Sequence, residues 1–121
     1  MPKILVVDDS AFMRQYIRGF LEDAGFEVED LLPGSALEAL EAIRNAKPDL
    51  LLSDYNMPNL DGQSVARMAR RADPKLPVVI LTAARDADRE AKLKDLGACA
   101  VLYKPLKGEE LVAQLRKVMG L

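Results

Sequence analysis

Apolar and polar residues follow two alternating patterns along this chain. Short, mostly apolar runs predict strands at 3–7, 26–32, 49–53, 78–81 and 98–103. Between these runs, apolar residues recur every three or four positions, which predicts helices between Ser10 and Gly25, after Ser35, and at about 63–72, 86–96 and 107–119. Strands that alternate with helices in this way predict an α/β fold: one sheet of five parallel strands with helices on both faces.

The helical periodicity also predicts which side chains are buried. In the first helix we expect one apolar face made of Phe12, Met13, Tyr16, Ile17, Phe20, Leu21 and Ala24. In the second helix we expect Ser35 and Glu38 to form a capping box, with an apolar stripe of Leu37, Leu40 and Ile43. Acidic residues interleave the second strand, which predicts a half-exposed edge position in the sheet.

Composition limits the classes of protein to consider. The 121 residues suit one domain, which we expect to span residues 1–121. The formal net charge of −2 does not indicate a nucleic-acid surface, and no apolar run approaches membrane-spanning length. The chain has no histidine, which excludes a Ser-His-Asp triad and a histidine-ligated zinc site within it.

The single cysteine, Cys99, excludes an internal disulfide and leads us to expect a cytoplasmic location. Because alanines flank Cys99, we expect its thiol to be buried and structural. The charged runs Arg70–Arg71 and Arg85–Arg89 are interpreted as solvated faces.

Residues with chemical potential stand where the predicted strands end. Asp8 and Asp9 follow the first strand, Asp54 follows the third, Thr82 ends the fourth and Lys104 follows the fifth. In open α/β sheets, the carboxyl ends of the strands form the ligand site. We therefore expect three acids, a hydroxyl and an amine to converge from four strands.

Clustered carboxylates repel each other unless positive charge intervenes. Lys104 supplies one positive charge, and ligands that are all oxygens favour a hard divalent ion such as Mg²⁺. Such a site suits phosphoryl transfer, with Asp54 as the nucleophile and Thr82 as a hydrogen-bond partner of a phosphoryl oxygen. Taken singly, each of these residues would be interpreted as a helix cap, a turn residue or a surface lysine.

Four motifs carry a resemblance that covers the whole chain: Val6–Ser10, Asp54–Pro58 with Asp61–Gly62, Leu81–Ala83, and Lys104–Pro105. With these motifs the chain resembles response-regulator receiver domains, and is most similar to single-domain CheY-type chemotaxis regulators. The resemblance implies a flavodoxin-like, doubly wound sheet with strand order 2-1-3-4-5. It also implies that Asp54 accepts a phosphoryl group from a histidine kinase or a histidine phosphotransfer protein.

Roles for the other site residues follow from the same resemblance. It implies that Asp9, Asp54 and the backbone carbonyl of Asn56 bind Mg²⁺ with help from Asp8, and that Thr82 and Lys104 contact the phosphoryl group. It further implies a Lys104–Pro105 bond that is commonly cis, and an output face for a downstream target made of the fourth helix, the fifth strand and the fifth helix. The implied protein is a switch that catalyses only its own phosphorylation and dephosphorylation.

One departure from the family pattern concerns signal transmission. The family usually has an aromatic residue three positions before the lysine, and this chain has Val101 there. Tyr103 lies two positions further on, and therefore on the same face of the strand. We hypothesise that coupling between the threonine and an aromatic ring is weakened, or runs through Tyr103.

Several functions stay open at this point. Within the switch class, a chemotaxis regulator, a phosphorelay intermediate and a receiver cut from a longer regulator are not separated, although the missing linker favours a stand-alone protein. A Mg²⁺-dependent phosphatase is disfavoured because Asn56 stands two residues after Asp54, where a general acid is expected. A flavin-binding module is disfavoured because Asp8 and Asp9 replace a phosphate-binding loop after the first strand.

Overall fold

Five strands and five helices alternate through the computed structural model, which describes residues 1–121. The strands are β1 (Lys3–Val7), β2 (Glu27–Leu31), β3 (Leu50–Asp54), β4 (Val78–Thr82) and β5 (Ala100–Tyr103). The helices are α1 (Ala11–Asp23), α2 (Ala36–Ala46), α3 (Gly62–Ala72), α4 (Ala87–Asp95) and α5 (Gly108–Met119).

All five strands are parallel, and their order in the sheet is β2-β1-β3-β4-β5. The flavodoxin-like strand order is therefore confirmed, as is the edge position of β2. The three inner strands β1, β3 and β4 are almost wholly buried, because helices cover both of their faces. No helix of the structure combines the length and the apolar character that crossing a bilayer requires.

Two apolar cores lie on opposite faces of the sheet. One core packs α1 and α5 against the sheet through Ile17, Leu21, Leu111 and Leu115. The other packs α2, α3 and α4 through residues such as Ile43, Val65 and Leu93. This arrangement fixes the two sheet faces and leaves the carboxyl ends of the strands open for a site.

Local signals in the sequence explain where the first two helices begin. Ser10 caps α1 by accepting a hydrogen bond from the backbone N–H of Met13 at 3.2 Å. Ser35 caps α2 in the same way, accepting from the N–H of Glu38 at 3.2 Å. The second half of the expected capping box differs, because the Glu38 carboxylate accepts from the N–H of Gly34 at 2.7 Å.

The expected buried faces of α1 and α2 are too wide. Phe12 is 75% exposed, Tyr16 is 40% exposed and Leu37 is 61% exposed. In α1 the buried residues are Ile17 and Leu21. The aromatic residues Phe12, Tyr16 and Phe20 lie beside them on the helix, and their rings pack on each other instead of on the sheet. In α2, Ala39 completes the buried stripe in place of Leu37.

The expectation of a buried thiol at Cys99 is also wrong. Cys99 is exposed, because the inward position before β5 is taken by Ala98. A short antiparallel ladder, Asn56–Met57 with Leu60–Asp61, lies between β3 and α3. It directs the chain from the end of β3 into α3, where Gly62 N–H donates to Tyr55 O at 2.8 Å.

Candidate functional site

Three carboxylates meet where β1 and β3 end. Asp8, Asp9 and Asp54 each offer an oxygen, and these atoms all lie within 4.8 Å of one another. Asp8 and Asp9 follow β1 directly, and Asp54 is the last residue of β3, its neighbour in the sheet. The register of the parallel sheet therefore brings together acids that lie far apart in the sequence.

Asp8 is the most deeply buried acid of the cluster, with 1% of its surface exposed. Its Oδ1 accepts a hydrogen bond from Ser10 N–H at 2.9 Å, whereas its buried Oδ2 has no partner. Burial raises the pKa of the Asp8 carboxyl above its usual range, and the nearby Asp54 carboxylate adds to this increase. A buried carboxylate oxygen without a donor is costly unless a cation lies next to it.

Lys104 brings a positive charge to this cluster. Its Nζ donates to Oδ1 of Asp54 at 3.0 Å, and the two side chains are only 26% and 11% exposed. Lys104 follows β5 directly and is joined to Pro105 by a cis peptide bond. Lys104 donates only to Oδ1 of Asp54. The other carboxylate oxygen, Oδ2, accepts no hydrogen bond from a side chain.

The donor set fits a hard divalent cation. It consists of carboxylate oxygens alone, one of which is the orphaned and buried Oδ2 of Asp8. A single lysine leaves the three carboxylates with an excess of negative charge. Asn56, the fourth expected metal ligand, is exposed and lies two residues after Asp54 at the start of the short ladder.

Thr82 lies at the end of β4, beside the acidic cluster. It is 1% exposed, and its Oγ1 accepts a hydrogen bond from Ala84 N–H at 3.3 Å. Its backbone oxygen accepts from Lys104 N–H at 2.8 Å, which ties the end of β4 to the lysine. The Thr82 hydroxyl can therefore leave a weak local hydrogen bond to meet a new acceptor at the site.

Arg14 supports the site from α1, a role that sequence reasoning did not find. Its Nη1 donates to the backbone oxygen of Asp8 at 2.8 Å, and its Nε donates to the Asp30 carboxylate at 3.0 Å. The side chain thus holds the loop after β1 against the end of β2. The feature of the sequence that indicates this role is the position of Arg14, four residues after the helix cap Ser10 and therefore about one helical turn into α1.

Most of the run Arg85–Arg89 is exposed, as expected, and only Arg89 is half-buried, but both arginines also contact tyrosine rings. The Arg85 guanidinium carbon lies 4.3 Å from the centre of the Tyr103 ring, and that of Arg89 lies 4.0 Å from the centre of the Tyr55 ring. Tyr55 directly follows Asp54, and Tyr103 directly precedes Lys104. Arginines from α4 and its leading loop therefore reach the neighbours of both partners of the ion pair.

Arg70 also differs from the interpretation as a solvated residue. It donates to the backbone oxygens of Pro74 and Leu76 and so holds the loop that follows α3. Its neighbour Arg71 is exposed, as expected.

Tyr103 and Glu90 form a direct link between β5 and α4. The Tyr103 hydroxyl donates to the Glu90 carboxylate, which also pairs with Lys94 at 3.2 Å. This hydrogen bond favours ionised Glu90 and neutral Tyr103, so it lowers the pKa of the Glu90 carboxyl and raises the pKa of the Tyr103 phenol. Val101 packs against the core instead and has no polar group to offer.

Comparison with known sequences gives a family. The chain matches the response regulator receiver domain over residues 4–116. Response regulator MprA of Mycobacterium ulcerans is 39% identical over 117 residues, which cover 97% of this chain and 50% of the relative. The chain therefore spans about half the length of the curated relatives that it matches.

Solved structures give the same result. Chemotaxis protein CheY4 of Vibrio cholerae superposes with a TM-score of 0.90 at 34% identity, with 98% of each chain covered. A CheY-like receiver domain protein of Methanospirillum hungatei also superposes with a TM-score of 0.90, at 25% identity over 99% of this chain and 94% of its own. Together with the strand order and the acidic cluster, these matches show that the chain belongs to the response regulator receiver domain family.

Proposed function

We propose that residues 1–121 form one receiver domain that works as a phosphorylation-switched module of a two-component system, with Asp54 as the phosphoacceptor. The observation that supports this most directly is the position of Asp54. Its carboxylate lies in the acidic cluster, and one oxygen is paired with Lys104 Nζ at 3.0 Å. The nucleophile and a cation that can stabilise the transferring group are thus already in contact.

In the proposed reaction the phosphoryl group comes from a phosphohistidine of a histidine kinase or a histidine phosphotransfer protein. An Asp54 carboxylate oxygen attacks phosphorus, and an O–P bond forms while the N–P bond breaks. The imidazole nitrogen leaves with the bonding electron pair and takes up a proton from water. Thr82 and Lys104 would then contact the phosphoryl oxygens.

The switch ends by hydrolysis at the same residue. Water attacks phosphorus, releases inorganic phosphate and restores the Asp54 carboxylate. Asp8, Asp9 and Asp54, with the backbone carbonyl of Asn56, would hold Mg²⁺ as the cofactor. When bound, Mg²⁺ would neutralise the clustered carboxylates and the charge that develops on the phosphoryl oxygens.

The chain would act on itself and not as an enzyme on free substrates. An aspartyl phosphate adds about two negative charges and several acceptor oxygens next to Lys104 and Thr82. A conformational change then requires contacts that differ between the two states. The output face would be α4, β5 and α5, which a downstream target protein would bind in the cytoplasm.

A chemotaxis role is the first candidate for the pathway, supported by the likeness to the Vibrio cholerae chemotaxis protein over 98% of both chains. A phosphorelay intermediate or the receiver of a longer regulator is the alternative, supported by relatives of about twice the matched length. Deletion of the gene separates them: altered swimming reversals would support chemotaxis, and unchanged swimming would contradict it.

Chemical trapping tests the site itself. Borohydride reduces an aspartyl phosphate to homoserine, so peptide sequencing after phosphorylation identifies the modified residue. We expect homoserine at position 54 only, and none after prior treatment with EDTA. Homoserine at Asp8 or Asp9 instead would contradict the assignment of Asp54. Turnover of small phosphomonoesters by the same preparation would favour a phosphatase.

A further inference from the structure

Tyr103 lies between the two residues that are proposed to contact the phosphoryl group. It directly precedes Lys104, and in the sheet it is the register partner of Thr82. The backbone N–H of Lys104 also donates to Thr82 O at 2.8 Å. Any shift of Thr82 or Lys104 toward a new phosphoryl group therefore acts directly on the backbone at Tyr103.

The side chain of Tyr103 connects this position to α4. Its hydroxyl donates to the Glu90 carboxylate in α4. Arg85, from the loop that leads into α4, packs over its ring, with the guanidinium carbon 4.3 Å from the ring centre. We call these three residues the Tyr103 latch. Tyr103 and Glu90 belong to β5 and α4, two elements of the proposed output face, and Arg85 lies two residues before α4.

Few other contacts hold α4 in place. Its only buried side chain is Leu93, and most of its remaining residues are charged. Arg89, which covers the Tyr55 ring at 4.0 Å, is its other link to the surroundings of Asp54. An element with so little buried apolar surface shifts at a low free-energy cost, so one hydrogen bond can decide where it lies.

Val101 does not offer an alternative route from the site to α4. It is packed against the apolar core and carries no hydrogen-bonding group. We propose that the Tyr103 latch holds α4 in the unphosphorylated chain, and that phosphorylation of Asp54 releases it through Thr82 and Lys104. This inference rests on the proposed function, because it assigns the coupling step of the same switch.

The hydrogen-exchange rates of the backbone amides of residues 87–95 measure how strongly the Tyr103 latch stabilises α4. Tyr103→Phe keeps the ring and the Arg85 contact but removes the hydroxyl. We expect α4 in this unphosphorylated variant to exchange about threefold to tenfold faster than in the parent chain, the range for one lost hydrogen bond. Tyr16→Phe, on the exposed side of α1, is the matched control and should leave α4 unchanged.

The second arm adds Mg²⁺ and acetyl phosphate. In the parent chain we expect phosphorylation to accelerate exchange in α4, and in Tyr103→Phe we expect little further acceleration because the latch is already open. Glu90→Ala should reproduce the effect of Tyr103→Phe, and the double variant should add nothing to it. Equal exchange of α4 in the parent and Tyr103→Phe would overturn the latch.

Equal acceleration by phosphorylation in the parent and Tyr103→Phe would also overturn the proposal, since coupling would then run elsewhere. Intact mass of the same samples separates this failure from failure of the proposed function. If the parent gains no phosphoryl group, the phosphorylation switch fails. The unphosphorylated samples then still decide whether Tyr103 holds α4, and circular dichroism confirms that each variant is folded.

Discussion

Lys104 Nζ lies 3.0 Å from Oδ1 of Asp54, although the two residues are 50 positions apart in the chain. The contact exists because β3 and β5 end on the same edge of the sheet, on either side of β4. It places a cation beside a cluster of three carboxylates. The ion pair therefore offsets part of the negative charge at the site.

Lys104→Met should destabilise the chain most when no divalent cation is present. Removal of the Lys104 ammonium group leaves the negative charge of the acidic cluster without a positive partner. For a pair that is mostly buried, this should lower the free energy of unfolding by about 1–2 kcal/mol. Mg²⁺ should recover part of this loss, because it neutralises the same carboxylates. Urea unfolding in EDTA and in Mg²⁺ measures both values.

The matched control for this variant is Lys117→Met, an exposed lysine in α5. It should change the free energy of unfolding by less than about 0.5 kcal/mol under both conditions. Equal effects of the two variants would mean that the ion pair with Asp54 contributes nothing to stability.

Asp8→Asn should stabilise the chain in EDTA, by about 1 kcal/mol. The substitution removes a buried negative charge but keeps an oxygen to accept the hydrogen bond of Ser10 N–H. The same variant should gain less stability from Mg²⁺ than the parent does. Urea unfolding with and without Mg²⁺ gives all four free energies.

Glu41→Gln makes the same change of charge on the exposed side of α2 and is the control. Its response to Mg²⁺ should equal that of the parent chain. If Asp8→Asn responds to Mg²⁺ as the parent does, Asp8 does not take part in cation binding.

The residues of the acidic site could be found from the sequence because each of them ends a strand. Once a parallel sheet is predicted, Asp8, Asp54, Thr82 and Lys104 must lie along one edge, whatever the details of packing. Arg14 and Glu90 could not be found in this way. Their roles depend on the direction of long side chains on helix surfaces, which periodicity does not determine.

Helix faces show the same limit. Ile17 and Phe12 both fit an apolar face of α1 in sequence, but only Ile17 reaches the sheet. The width of the buried stripe depends on the angle at which a helix crosses the sheet, and this angle results from packing of the whole domain. An apolar residue at the flank of the predicted face is therefore where burial is least predictable.

Stability should depend on the Tyr103 hydroxyl only over a defined range of pH. The pKa of Glu90 is lowered in the folded chain, so its contribution is present above its ordinary pKa of about 4.3 and is lost as the pH falls through the lowered folded value. The pKa of Tyr103 is raised, so its contribution is present below about pH 10 and is lost as the pH rises through the raised folded value.

The difference in unfolding free energy between the parent and Tyr103→Phe should therefore be largest between about pH 5 and pH 9.5. Urea unfolding of both proteins from about pH 3 to pH 11 measures it, because the difference should decrease on both sides of this plateau. Lys94, Arg85 and Asp86 face the same pair but are present in both proteins, so their titration largely cancels in the difference. A difference that does not vary with pH would contradict the hydrogen bond.

Phe12→Ser should slow phosphotransfer from a protein donor without affecting the chemistry of the site. Phe12 is 75% exposed and lines a cavity of about 320 Å³ that also touches Tyr16, Leu106 and Lys104. Because Lys104 pairs with Asp54, we expect a phosphohistidine protein that reaches Asp54 to contact this apolar surface. With a histidine phosphotransfer protein that phosphorylates the parent chain, we expect at least a roughly tenfold slower transfer, a loss typical of one hydrophobic anchor.

Phosphorylation of Phe12→Ser by acetyl phosphate should proceed at the rate of the parent chain, since a small donor does not need the surface. Leu37→Ser removes another largely exposed apolar side chain, from α2, and is the control. A protein donor that phosphorylates Phe12→Ser and Leu37→Ser equally fast would exclude Phe12 from the contact.

The most direct test of the central claim is the intact mass of the chain after incubation with acetyl phosphate and Mg²⁺. The parent chain and Asp73→Asn, which alters an exposed acid outside the cluster, should each gain the mass of one phosphoryl group. Asp54→Asn should gain none, and EDTA should abolish the gain in all samples. A phosphoryl group on Asp54→Asn, or none on a folded parent chain, would contradict the assignment of Asp54 as the phosphoacceptor.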